Sequence, residues 1–248
     1  MAEDSMLSEA VERAHVDDAV FDLRPDYRAV LIAAGGVAPG PSDPISEALL
    51  EEAESVARER LGDQPVEGIA HIAAWREAFR AFGAKPQRTR TSVEALTRRV
   101  ATGLPRVNRL TDIYNAVSVK HQLPIGGEDL SRYVGPPRLI RATGAEPFDT
   151  VAGGADVVEH PDAGEVVWCD DRGVTCRRWN WRQARRTQLS EDTTTALFIF
   201  DALNPMTDTE LRAAVDELDE HLHRLGPAVT TVRRLLSRPS DPQKDRPC

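Results

Sequence analysis

Cysteine is scarce: Cys169, Cys176 and Cys248 are the only three in 248 residues. Three thiols cannot build the framework of a disulfide-stapled domain, and no CxxC pair offers a zinc site. Buried, inert thiols in a reducing compartment are the plain reading; a Cys169–Cys176 pairing across a hairpin is the alternative. Long apolar runs are missing too. None reaches 18 residues, so no membrane span is expected, and the opening MAEDSMLSEAVERAH is too acidic and polar for a signal peptide. Familiar catalytic signatures are absent: there is no GxSxG, HExxH, Walker loop or GxGxxG. The glycine-rich AAGGVAPG, Ala33–Gly40, lacks the lysine of a phosphate loop and reads as a turn. Tryptophan is rare, yet two of the four lie within the seven residues CRRWNWR, Cys176–Arg182.

The net charge of −9 is unevenly spread. Residues 1–62 carry 14 acids and 5 bases, whereas residues 71–110 carry nine bases and two acids. A basic stretch on an acidic chain suits a polyanion-binding face, and a solvated helix face is the other reading.

Periodicity predicts an α+β protein. Ala29–Ala33 reads as a strand. Asp43 and Pro44 open a helix with Ile45, Leu49, Ala53, Val56 and Ala57 inward, and Gly62 ends it. A second helix covers His71–Gly83 with Ile72, Trp75, Phe79 and Phe82 on one side. Ser92 caps a third, and Thr111–Pro124 forms a fourth. Strand-like runs follow at Arg138–Ala142, Glu165–Cys169, Val174–Trp179 and Thr194–Phe200. Asp170-Asp171-Arg172-Gly173 reads as a hairpin turn, in preference to a metal site. Thr207 and Glu210 form a capping box ahead of a long helix, a short last helix is expected over Ala228–Ser237, and residues 239–248 form a disordered tail.

The Arg–Trp segment carries the chemistry. Strand alternation would place Arg178 and Asn180 on one face, and Arg177, Trp179 and Trp181 on the other. Guanidinium groups bind phosphate in bidentate fashion and stack on flat rings, tryptophan offers a stacking surface, and asparagine offers both donor and acceptor. Such a set fits a nucleotide or an RNA end. An internal network remains open: a tryptophan buried as core and arginines paired to Asp170, Asp171, Glu191 or Asp192.

Gly164–Thr194, and with it Trp75–Leu96, Leu110–Gly135 and Leu139–Phe148, resembles the stand-alone B3/B4 domain proteins. These are similar to the editing domain in the β subunit of bacterial phenylalanyl-tRNA synthetase. The resemblance implies a B3/B4-like fold of β-sheets flanked by helices over 20–203, with an acidic segment at 1–19 and C-terminal helices at 204–238. It implies hydrolysis of mischarged aminoacyl-tRNA in trans, in the cytoplasm, with tRNA as partner and no DNA, membrane, metal or cofactor. Asn115 matches an asparagine of the synthetase editing pocket, and Gly126 stands where the synthetase has a histidine. The catalytic set expected is therefore Asn115, Asn180 and Arg178. Arg177, Trp179, Trp181, Arg182, Glu191, Gly126 and Asp129 are expected at the substrate, and Arg88, Arg90, Arg98, Arg99, Arg185 and Arg186 on the nucleic acid. A non-catalytic binder of tRNA or of an amino-acid-like ligand, and a hydrolase of a small acyl compound, are the competing functions.

Overall fold

The run RAVLIAAG has no polar face, and the protein buries both of its sides. The computed structural model describes residues 2–239. In chain order its elements are α1 (Ala2–Arg13), β1 (His15–Val16), α2 (Asp18–Leu23), β2 (Arg28–Gly35), α3 (Pro44–Leu61), α4 (Ala70–Ala81), α5 (Ser92–Thr97), α6 (Arg109–His121), β3 (Ile125–Asp129), β4 (Arg138–Arg141), β5 (Phe148–Ala152), β6 (Ala155–Glu159), β7 (Val166–Cys169), β8 (Val174–Arg177), β9 (Arg182–Gln183), β10 (Ala196–Ala202), α7 (Asp208–His223) and β11 (Thr230–Ser237). β11, β2, β10 and β3 form one antiparallel sheet, and β1, β4, β7, β8 and β9 form a second.

Period-two alternation assigns the two faces of the first sheet. Ala29, Leu31 and Ala33 of β2, with Leu197 and Ile199 of β10, face a core shared with α1, α4 and the second sheet. Val30, Ile32, Phe198 and Phe200 face α6 and α7. The same alternation sends Asp201 to the first face, beyond Ile199. On β3, Gly126 pairs with Ile199 and Glu128 with Leu197, so both also face the second sheet.

Several expectations hold with shifted detail. Asp43 caps α3, accepting from the Ser46 amide at 2.8 Å, but the buried face runs through Ser46, Leu50, Ala53 and Ala57, while Ile45 is exposed. Thr91, not Ser92, caps α5. Cys169 and Cys176 are buried free thiols, not a cross-strand pair: an irregularity at Trp168/Cys169 places Cys176 opposite Trp168 and Cys169 opposite Val174. The clearest correction is at the C-terminus. Ala228–Ser237 is not a helix; Thr230–Ser237 is a strand on the edge of the first sheet, paired with β2 along its length. The β-branched Thr230, Thr231 and Val232 favour an extended chain, and the unpaired edge of β2 outweighs the helix propensity of the arginines and leucines that follow. The 204–238 segment is thus helix and strand. The predicted tail lies outside the described residues beyond Pro239.

Two adjacent glycines differ in what they permit. A Cβ on Gly127 would lie 2.7 Å from the Tyr114 ring and 2.8 Å from Leu189 Cδ1, while one on Gly126 would meet only Gln183 Nε2, at 3.4 Å. Gly127→Ala is expected to cost about 1–3 kcal/mol by forced repacking, with little change for Gly126→Ala. Chemical denaturation of the two variants checks this; equal stability would show that Tyr114 can move aside.

Candidate functional site

The Arg–Trp segment leaves β8 in a turn that strand alternation does not foresee. Arg178 and Trp179 both adopt left-handed backbone, with φ of 48° and 67°. Non-glycine residues sit there only when the surroundings over-determine them. Here the Glu165 carboxylate accepts from the Arg178 amide at 3.1 Å and grips the Arg177 guanidinium at 2.9 and 2.8 Å. The Trp179 amide donates to Val166 O at 2.7 Å, and the Ser92 amide donates to Asn180 O at 2.9 Å. The turn drives the Trp179 ring into the core, where it meets Tyr27 and Trp75 edge-on with centroids 4.9 and 5.2 Å apart. Arg178 swings outward and stacks on Trp181, 4.6 Å from its centroid.

Beside this turn lies a pocket of about 110 Å³ between the two sheets. Gly126, Glu128, Ile199 and Asp201 line it from the first sheet, and Trp168, Cys176 and Gln183 from the second. The turn adds Trp179, Asn180 and Trp181; α6 adds Tyr114 and Asn115; α5 adds Ser92. The lining is largely apolar with a few convergent polar groups, the usual make-up of a small-ligand site.

Its electrostatics rest on two carboxyls that the sequence reading did not single out. Burial pushes Asp201 up to about 7, against the pull of the hydrogen bonds it accepts from Tyr27 Oη at 2.5 Å and Asn180 Nδ2 at 3.4 Å. Burial likewise pushes Glu128 up to about 7, although the Tyr133 hydroxyl donates to it at 2.5 Å. Removing a carboxylate from water raises its pKa unless donors compensate fully. The Cys176 thiol is driven well above its ordinary range by burial first, then by the charges of Glu128 and Asp201; a thiol so placed is a poor nucleophile. Asp201 had a signal in the sequence, a lone acid closing the apolar run ALFIF, and Glu128 had another, an acid two residues past Gly126 on the same strand face.

The pocket thus brings together Asn115, Asn180, Gly126, Trp179 and Trp181, and leaves other expected residues outside. Arg178 leaves the pocket because the left-handed turn replaces the strand. Arg177 forms a buried ion pair with Glu165 and a second with Glu159. Arg182 donates to Val151 O at 3.0 Å. Asp129 clips a loop, accepting from Ser131 and Thr193, and Glu191 is exposed on a turn. Of the arginines expected on nucleic acid, Arg186 is held by Asp170 at 2.8 Å, Arg185 pairs with Asp156, and Arg98 pairs with Glu94 and Glu67. Arg90 lies 3.7 Å from Glu94. The internal-network reading therefore holds for the buried Trp179 and for Arg186 on Asp170, while Arg177 and Arg185 are paired internally to carboxylates it did not name, Glu165, Glu159 and Asp156.

Arg88 is placed differently. With Lys85 and the outward face of Arg178 it lines a groove of about 460 Å³, which Asp162 and Glu165 also border. This groove joins the basic 71–110 stretch to the Arg–Trp turn. Trp181 lines the pocket and carries Arg178 on its ring, so groove and pocket share that stacked pair as a wall. Arg99 is exposed away from both sets of lining residues. Among the described residues no group of three or more His, Cys, Asp or Glu side chains is arranged to hold a metal ion, and no helix is long and apolar enough to cross a membrane.

Three comparisons complete the description. A family model described as the B3/4 domain matches residues 74–221. No curated protein matches the sequence. Among solved structures, an N-terminal fragment of the phenylalanyl-tRNA synthetase β-subunit from Pyrococcus horikoshii is similar over 90% of this chain and 50% of its own, at 12% identity and a TM-score of 0.43. The chain therefore spans about half the length of that fragment.

Proposed function

From the premise that the chain belongs to the B3/4 domain family, we propose that it hydrolyses the ester of mischarged aminoacyl-tRNA in trans. The observation that carries this reading is the pocket itself: an unengaged amide, Asn115, and a buried carboxyl, Glu128, line one small chamber walled by the Trp181–Arg178 stack, with a basic groove on the other side of that wall.

An aminoacyl ester is already reactive, so a site must chiefly orient water and stabilise the developing oxyanion. Asn115 makes no side-chain hydrogen bond among the described residues and is buried, so its Nδ2 is available to the oxyanion. Asn180 directs one of its two Nδ2 hydrogens to Asp201, at 3.4 Å, and is assigned to that carboxyl rather than to the oxyanion. Glu128 accepts the proton of the attacking water. A carboxyl near 7 is matched to that work at neutral pH, where an ordinary carboxylate is a weak base. The acyl-transfer step needs no covalent nucleophile, and Cys176 is too basic to be one. Lys85, Arg88 and the outer edge of Arg178 take the terminal phosphates, and Trp181 offers a stacking face to the last base.

Incubation with a panel of mischarged tRNAs, following loss of the ester, tests this directly. Binding should weaken steeply with added salt if phosphates are contacted. Hydrolysis should be slow at pH 5, half-maximal near pH 7 and level above it, because the base works only when deprotonated; Glu128 and Asp201 titrate as neighbours, so the midpoint belongs to the pair. Glu128→Gln should abolish the rise. A flat pH profile in the wild-type protein would remove Glu128 from the mechanism. One observation favours a second reading, a non-catalytic binder: Gly126 leaves a gap on the pocket wall where a side chain would fit. A protein that binds charged tRNA but hydrolyses none of the panel would establish that alternative.

A further inference from the structure

The corner of the pocket formed by Asp201, Asn180 and Ser92 holds acceptor atoms that the protein leaves open, beside the indole N–H groups of Trp168 and Trp179. Asn180 Nδ2 faces Asp201 Oδ2, so its Oδ1 is directed elsewhere; that oxygen is buried and has no partner. Ser92 Oγ, beside Asn180 through the backbone bond from Ser92 N to Asn180 O, is also buried without a partner. Asp201 receives the Tyr27 hydroxyl on one oxygen and the long Asn180 contact on the other, with the Trp168 indole N–H also turned toward it. Asn180 and Asp201 are 6% and 2% exposed, so bulk water does not routinely satisfy these atoms. Orphaned buried acceptors are costly and call for a donor.

We propose that this corner is a subsite for a primary ammonium group, the free α-amino group of an aminoacyl ligand, held by the Asp201 carboxylate and the Asn180 carbonyl with Ser92 Oγ alongside. The chemistry selects the charge. A neutral hydroxyl would donate to one acceptor and bring no countercharge to the carboxyl, whereas an ammonium has three donors and a full positive charge. Trp168, Trp179 and Trp181 line the same pocket and keep it small and largely dry. Burial that holds Asp201 near neutrality makes it readily ionised when a cation arrives, so the charge appears where it is used. The subsite deepens the deacylase reading: it orients the ester by its amino end and rejects acylated or peptidyl ligands. It does not require hydrolysis, and it can be tested without it.

The test uses small amides, which have no ester to lose. Several amino-acid amides and their N-acetylated counterparts are titrated into the 248-residue chain at pH 7, following the fluorescence of the pocket tryptophans. Some free amides should bind at least about tenfold more tightly than their acetylated forms, the usual scale of a buried charge-assisted contact. Asp201→Asn keeps the acceptor for Tyr27 and should erase that preference, with circular dichroism confirming the fold. The wild-type preference is itself decisive, so the inference stands or falls even if the variant does not fold. Equal binding of free and acetylated amides, binding of neither, or an intact preference in folded Asp201→Asn would overturn it. Failure of the deacylase reading looks different: amides are discriminated, yet no charged tRNA is hydrolysed. Conversely, equal hydrolysis of aminoacyl- and N-acetyl-aminoacyl-tRNA would keep the deacylase and remove the ammonium subsite.

Discussion

Replacing Asn115 by alanine is expected to slow ester hydrolysis on the order of a hundredfold or more, the usual loss when one donor to an oxyanion is removed. The effect should fall on kcat with KM little changed, because the amide acts on charge that develops only in the transition state. The fold should survive: Asn115 lies on α6 at the pocket and makes no side-chain hydrogen bond among the described residues, so its truncation strands no partner. Single-turnover hydrolysis of a charged tRNA found by the panel is the measurement. Cys176→Ser and added chelator serve as controls and should leave the rate largely unchanged. Full activity in Asn115→Ala would move the oxyanion site elsewhere in the pocket. Loss of activity with chelator would replace the proposed mechanism altogether.

The second large effect is on stability. Glu165→Ala should destabilise the protein by about 3–5 kcal/mol, because it leaves a buried guanidinium without its partner. The Arg177 side chain is 8% exposed and that of Glu165 is 2% exposed. Glu159 offers Arg177 only one further contact, at 3.0 Å from a half-exposed position. The loss reaches the site as well. Glu165 holds the Arg178 amide, and with it the left-handed turn that buries Trp179 and presents Asn180. Urea denaturation should therefore be accompanied by altered tryptophan emission in the native baseline. Glu165→Ala combined with Arg177→Met should recover part of the stability, since a buried ion pair replaced by apolar packing is often tolerated where a single unpaired charge is not. If Glu165→Ala alone costs less than about 1 kcal/mol, water reaches Arg177 and the turn is held by its backbone bonds.

What the sequence by itself determined was local or periodic. Asp43 and Ser46 meet across one helical turn, as do Thr207 and Glu210, so the starts of α3 and α7 are decided by neighbouring residues. The apolar runs in β2 and β10 have no polar face, so these strands are buried on both sides. Asn115, Asn180, Trp179 and Trp181, named from the Arg–Trp segment and its resemblance, line one pocket. Only the tertiary structure decided the rest. Residues 230–237 became a strand because β2 had an open edge, and a free edge is not visible from within the segment that fills it. Arg178 left the pocket because Glu165, 13 residues earlier, fastens its amide and bends the chain out of the strand. Asp201 and Glu128 acquired their chemistry in the same way. Their pKa depends on how much water two sheets exclude and on which hydroxyls lie opposite, Tyr27 for one and Tyr133 for the other. Desolvation is a property of the assembled core, so no spacing along a chain can express it.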